Sequence, residues 1–321
     1  MLKPNDVPSF RHFQHLITCK AGFLINSFIS RDKPFPQPKI SNCIIFQVFN
    51  QKKLCMYKSR TAPTKTRAIV VQGDAQRIVA RLPPNFFALV CTSPPYNVGR
   101  GYDIYKDTRP LSDYLEFLEE VFANCAKALM PGGHMCINIA NVGRDPYIPL
   151  AGLLLERLGK YLQLRGEIIW DKGFPGRRFL PKGWRNPDKP PLRDLHEYIL
   201  VFRKVGHRPK GIPDITKREF LEFSGSMWRV PSKIEVAEHP AQFPEQIPHR
   251  CIKLFTFKGE WVLDPFAGVG TTLIAASKLG RNSLGVEISP SYVEKTIKRL
   301  RAAGVVGELL ADKELDKIRF R

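Results

Sequence analysis

Thr92-Ser93-Pro94-Pro95-Tyr96 ends a run of buried-type residues, Phe87-Ala88-Leu89-Val90-Cys91. In an open α/β sheet, the carboxyl end of such a strand faces the ligand crevice. The residue types there suit one kind of chemistry. An exocyclic amine of a nucleic-acid base is a poor nucleophile because its lone pair is delocalised into the ring. It becomes reactive when its N–H groups donate to fixed acceptors while the nitrogen turns tetrahedral. The Ser93 hydroxyl and the Pro94 carbonyl can supply two such acceptors. Pro94 and Pro95 stiffen the loop and limit the entropy lost on binding. Tyr96 can stack on a base flipped out of a duplex. Alone, Pro-Pro-Tyr reads as a proline-rich turn with a core tyrosine.

A second constellation changes that balance. Trp261-Val262-Leu263-Asp264 is a short apolar strand running into Pro265-Phe266-Ala267-Gly268-Val269-Gly270-Thr271-Thr272, which opens a helix. Glycines there let the backbone approach a ligand closely. A dinucleotide fingerprint needs a third glycine where this chain has Leu273, and a P-loop needs a lysine that is missing. Glu287 ends the next strand, 23 residues after Asp264, where a carboxylate can accept from ribose hydroxyls. Asp264 would face the cationic amino-acid end of the ligand. A cofactor with a ribose, an ammonium group and no phosphate is S-adenosylmethionine. The competing reading of Gly268 and Gly270 is a structural tight turn.

Both constellations need strands and helices to hold them. Ala68–Val71, Phe87–Cys91, Met135–Ala140, 164–170, 197–203, Trp261–Asp264 and Ser283–Ile288 read as strands. Helical stretches open at Asp74, cover 111–129 with Leu111, Leu115, Leu118, Val121 and Phe122 at helical spacing, and follow at 149–158, 271–279 and 289–302. Pro131-Gly132-Gly133 reads as a stop between helix and strand. Strands alternating with helices predict an α/β fold, a Rossmann-like doubly wound and mostly parallel sheet.

The chain of 321 residues carries a formal charge of +20, which points to a polyanionic partner. Residues 1–67 hold 12 Lys and Arg against Asp6 and Asp32. The stretch 1–66 has no clear period and reads as a weakly ordered extension, with Met56 a candidate natural start. Residues 67–303 read as the folded domain and 304–321 as a tail. Lys172, Arg177, Arg178, Lys182, Arg185, Lys189 and Arg193 alternate with Phe174, Phe179 and Trp184. This segment, 172–195, reads as a basic loop that closes on DNA phosphates; a solvated basic loop is the bland reading. Segment 204–235, with Arg208, Lys210, Lys217, Arg218, Trp228 and Arg229, is a second basic stretch, where the family these motifs resemble implies a short target-recognition region.

The 7 cysteines are odd in number and form no C-x-x-C pair, so a reducing, cytoplasmic setting is expected, with neither disulfide framework nor metal site. No apolar run is long enough for a membrane span. Cys91 lies beside the catalytic loop and reads as a small core residue rather than a nucleophile. His196 and His239 could act as bases, but no metal-like spacing surrounds them.

Together these motifs resemble the amino-methylating DNA methyltransferases, the N4-cytosine and N6-adenine family. Within it they resemble the group whose catalytic motif precedes the cofactor motif. The resemblance covers about residues 68–302 and implies a seven-stranded methyltransferase sheet with inserted basic DNA-recognition loops. Ser-Pro-Pro-Tyr is typical of the N4-cytosine enzymes, and Asp or Asn in place of Ser93 is typical of N6-adenine enzymes. Gln72-Gly73-Asp74 resembles the family's acidic motif, implying Asp74 near the adenosine. His196–Phe202 resembles the late core strand. His239-Pro240-Ala241-Gln242-Phe243-Pro244 resembles the motif lining the methionine side, implying His239 and Phe243 there, with Phe266 packed near the cofactor. The implied partner is double-stranded DNA with its target base flipped. A cognate restriction endonuclease and a monomeric or homodimeric state are compatible with the resemblance. The readings weighed against it are a catalytically silent DNA-binding protein on the same fold and a small-molecule or RNA methyltransferase.

Overall fold

The computed structural model describes residues 66–99, 108–143, 146–173, 185–190, 192–231 and 243–318, all within one unit, Ser59–Arg321. The expected extension with Met56, and Arg177, Arg178, Lys182, Trp184 and His239, lie outside the described residues.

Short apolar runs become strands and amphipathic runs become helices in the expected alternation. In chain order they are β1 (Ala68–Gln72), α1 (Ala75–Val79), β2 (Phe87–Thr92), α2 (Leu111–Ala128), β3 (Leu129–Ile139), α3 (Leu150–Leu158), β4 (Gln163–Asp171) and β5 (His196–Arg203). There follow α4 (Lys217–Phe223), β6 (Met227–Arg229), α5 (Gln246–Phe255), β7 (Trp261–Asp264), α6 (Thr271–Lys278), β8 (Asn282–Glu287), α7 (Pro290–Ala302) and β9 (Gly307–Ala311). A 3-10 turn, Asp312–Lys317, comes after β9.

The strands form one sheet in the order β6-β4-β5-β3-β2-β7-β8-β1-β9. Only β5 runs against the rest, antiparallel to β3 and β4. The sheet therefore has nine strands, not the seven expected. The additions are its two edges. β6 is a three-residue Met-Trp-Arg strand, too short to show a period. β9 comes from the stretch expected to be a tail; it pairs in parallel with β1, Ile69 opposite Glu308 and Val71 opposite Leu310. Being an edge strand, β9 is only partly covered, so its sequence lacks the apolar run of an inner strand.

Alternation along β1 shows the layering. Ile69 and Val71 pack with α1, α2 and α3, through residues such as Ile78, Phe117, Phe122 and Leu154. Ala68 and Val70 pack on the other side with Leu273, Val293 and Leu300 of α6 and α7. Each large aliphatic side chain buried in this way contributes roughly 1.5–3 kcal/mol.

Two local expectations change. β3 starts at Leu129 and runs through Pro131-Gly132-Gly133, which had read as a stop. Gly133 lets the chain pass: a Cβ there would lie 2.9 Å from the Met130 oxygen and 3.0 Å from the Ala88 oxygen. α5 was not read at all, because Pro248 lies within it. That proline sits in the first turn, where the missing N–H has no helical partner to lose. No helix among the described residues is long and apolar enough to cross a membrane.

Candidate active site

β2 and β7 are parallel neighbours, so Ser93 and the glycine turn emerge on the same edge of the sheet. The two motifs are fastened to each other directly. Thr92 Oγ1 donates to Asp264 Oδ1 at 2.6 Å, and Thr272 Oγ1 donates to the Cys91 carbonyl at 3.4 Å. Asp264 also accepts the Phe266 N–H at 3.1 Å, closing the turn. It is 2% exposed and burial pushes its carboxyl up to about 6. Asp264 is therefore not the ligand-facing acid expected from the sequence. It lies behind the cleft wall and holds the cofactor turn against the catalytic strand.

The turn itself has little freedom. Gly268 and Gly270 have φ of 52° and 77°, in the left-handed region. A Cβ on Gly270 would lie 2.4 Å from Thr296 Cγ2, so α7 packs where a side chain would go. Thr296 Oγ1 donates to the Gly268 carbonyl at 2.9 Å. At the end of β8, Glu287 accepts the Gly268 N–H at 2.8 Å on one oxygen and the Ser289 N–H at 2.8 Å on the other. Burial pushes the Glu287 carboxyl up to about 7 against the pull of those N–H groups. A carboxylate has about four lone-pair sites, so two stay available for a ligand.

Between the motifs lies an open cleft. Its walls carry Ser93, Pro94 and Pro95 from the catalytic loop, and Phe266, Gly268, Thr271 and Glu287 from the cofactor half. Asp74, which also caps α1 by accepting the Gln76 N–H at 2.8 Å, and Phe243 line it as well. Gly270 and Thr272 shape the turn from behind. Arg109, Phe117, Ser289 and Tyr292 also line the cleft. Sequence reasoning missed them because they stand beyond the motif borders.

Tyr96 is placed differently from a free stacking platform. Its hydroxyl is buried and donates to Glu197 Oε2 at 2.8 Å, with Ser93 Oγ 3.1 Å away. Asn138 Nδ2 donates to the Tyr96 oxygen at 2.9 Å and to Glu197 Oε2 at 2.6 Å. Asn138 is the next-to-last residue of β3 and Glu197 the second of β5; both read as ordinary core-strand positions. The Tyr114 hydroxyl of α2 fixes the loop from below by donating to the Pro95 carbonyl at 2.7 Å.

The residues expected at DNA divide. Arg185 is exposed. Lys172 is partly covered: it pairs with Glu197, and its ammonium lies 5.2 Å from the centre of the Trp170 ring. Trp228 is fully buried, its indole N–H donating to the Phe223 carbonyl at 3.0 Å, so it is core and not a base contact. Cys91 is buried too. A hydrogen bond with Cys251 and burial raise its thiol well above the ordinary range, which disfavours a thiolate nucleophile.

Comparison with known proteins gives the same picture. Residues 87–299 match the family model for N6/N4-type DNA methylases, described as DNA methylase. The Type II beta methyltransferase M.BslI of Bacillus sp. (strain NEB-606) is 30% identical over 266 residues, covering 76% of this chain. This chain spans only 29% of that longer relative. The DNA adenine methyltransferase YhdJ of Escherichia coli K12 is 28% identical, over 73% of this chain and 83% of its own length. Among solved structures, TTHA0409 is a candidate DNA modification methylase from Thermus thermophilus, complexed there with S-adenosyl-L-methionine. It superposes with a TM-score of 0.61 at 30% identity, over 76% of this chain and 99% of its own. The matched span holds more than half of the sequence and both motifs that meet across the cleft, and this chain belongs to the amino-methylating DNA methylase family.

Proposed function

We propose that this protein methylates the exocyclic N4 amino group of cytosine in DNA, with S-adenosylmethionine as methyl donor. One observation carries the reading: Ser93, a hydroxyl acceptor, and Glu287, a ribose-type acceptor, line one cleft although 194 positions separate them. The cofactor suits this wall. Glu287 and Asp74 offer acceptors to its hydroxyls and adenine amine, and the glycine turn offers a surface without side chains. When bound, S-adenosylmethionine supplies a methyl group on a sulfonium centre. Ser93 and Pro94 orient the amino group, and the mainly apolar walls exclude water, which favours discharge of a cationic donor. Arg185 and the basic segment around it contact phosphate, and segment 204–235 reads the target sequence.

Cytosine is preferred because Ser93 stands where the family's N6-adenine enzymes typically carry Asp or Asn. The second reading, N6-adenine, draws on YhdJ, a DNA adenine methyltransferase over most of its length. Mass spectrometry of nucleosides from DNA treated with the protein separates the two. N4-methylcytosine is the expected product, and N6-methyladenine in its place would overturn the preference.

Cofactor affinity should depend on pH. Glu287 titrates near 7 in the folded protein against 4.5 ordinarily. Any stability it contributes is thus present below the ordinary value and lost as pH rises through about 7. Ribose hydroxyls favour the ionised form, so binding should tighten by about tenfold between pH 6 and pH 8. Calorimetry with S-adenosylhomocysteine checks this. Glu287→Gln should flatten the curve, and a curve of unchanged slope in that variant would assign the titration elsewhere.

A further inference from the structure

One buried acid touches the catalytic loop and belongs to neither motif. Glu197 is 8% exposed and accepts both the Tyr96 hydroxyl and Asn138 Nδ2 on Oε2, while Oε1 pairs with Lys172. The directions of these bonds follow from counting protons. The Tyr96 hydroxyl has one proton, and a carboxylate only accepts, so that proton points to Glu197. Ser93, 3.1 Å from the Tyr96 oxygen, then donates to it, as Asn138 does at 2.9 Å. With its own proton turned towards Tyr96, Ser93 Oγ presents lone pairs to the cleft it lines. Burial and the Glu197 charge raise the Tyr96 phenol well above its usual range. It therefore stays a neutral hydroxyl, able to receive one proton as it gives another.

We propose that Ser93, Tyr96 and Glu197 form a proton path that removes the proton released when an amino group is methylated in the cleft. This rests on the amino-methyltransferase reading above. The attacking nitrogen forms its N–C bond with its lone pair, and the electron pair of the broken S–C bond stays on sulfur. The cationic nitrogen then loses one proton to Ser93 Oγ. The Ser93 proton passes to the Tyr96 oxygen, and the Tyr96 proton passes to Glu197 Oε2. Nitrogen and sulfur end neutral, both hydroxyls are restored, and the carboxylate holds the proton. Ion pairing with Lys172 explains how a carboxylate is tolerated at this depth. The Lys172 side chain is 29% exposed, so the partner of Glu197, unlike Glu197 itself, keeps partial contact with solvent. Glu197 acts through Tyr96 and is a positioning residue in this scheme.

The test compares Tyr96→Phe, Glu197→Gln and the double variant in single turnover, at saturating S-adenosylmethionine and DNA. Tyr96→Phe keeps the ring and removes only the relay oxygen. Each single change should slow methylation by about 10²-fold, the lower end of what a positioned proton acceptor contributes. The double variant should be no slower than the slower single, because all three break one path. Affinities for S-adenosylhomocysteine and DNA should stay within about twofold, which a merely structural role would not respect. A Tyr96→Phe rate equal to wild type rejects the path, even if Glu197→Gln fails to fold. So do losses that multiply in the double variant. A wild-type protein that methylates no amino group in DNA would instead defeat the broader reading.

Discussion

Ser93→Ala is expected to lower the methylation rate by about 10²–10³-fold, the loss that follows when one fixed hydrogen-bonding group aimed at developing charge is removed. The geometry makes this a clean deletion. Ser93 lines the cleft, and its Oγ has two hydrogen-bonding neighbours among the described residues, the Tyr96 hydroxyl at 3.1 Å and Asn138 Nδ2 at 3.3 Å. Both keep their shorter bonds to Glu197 when Ser93 is truncated. The loop therefore loses an acceptor without losing its anchor, and the cofactor half, held by Gly268 and Glu287, is untouched. Single-turnover rates together with calorimetric affinity for S-adenosylhomocysteine check the split. A rate equal to wild type would take Ser93 out of the chemistry, and a matching fall in cofactor affinity would make it a cofactor contact.

The largest stability effect is expected far from the cleft. Arg281 follows α6, is 0% exposed, and holds Asp214 through two hydrogen bonds of 2.7 Å. It also donates to Thr256 Oγ1 at 2.9 Å and to the Thr256 carbonyl at 2.8 Å. Burial alone would raise the Asp214 carboxyl, yet the bond and charge of Arg281 bring it below its ordinary value. Arg281→Met leaves that acid without its main partner and strips two acceptors on Thr256. Removing one member of a buried pair in this way costs roughly 3–5 kcal/mol. Urea unfolding of the variant should show this as a fall in midpoint. Asp214 stands just before α4 in the segment proposed to read the target sequence, so weaker DNA binding should accompany it. A midpoint equal to wild type would mean that Lys253, 3.8 Å from Asp214, carries the acid alone.

Local signals in this chain were legible because their causes are local. Strand, glycine turn and helix around Gly268 follow from backbone sterics within a dozen residues. The loop of Ser93 follows from two prolines after a buried run. The apolar spacing of α2 settles which face it buries, with Tyr114, Leu118, Val121 and Phe122 inside. From these came the cleft residues Ser93 and Glu287, while Asp74, Phe243 and Phe266 came from the family resemblance.

Neighbourhood between strands was not legible, since apolar runs state that a strand is buried and not which strand lies beside it. The order β5-β3-β2-β7-β8 decides it, by the packing of helices on both faces. That order turned Asp264 from a ligand contact into the clasp on Thr92. It also turned Lys172 from a phosphate contact into the partner of Glu197. The reversed direction of β5 matters most. In a parallel strand the last residues reach the catalytic edge, but β5 is antiparallel, so its second residue, Glu197, arrives there beside Asn138 and Tyr96. Residue types and spacing determined by themselves what chemistry this chain could carry. Only the tertiary structure decided which distant groups would share in it, because proximity across a sheet is fixed by pairing and packing between segments far apart along the chain.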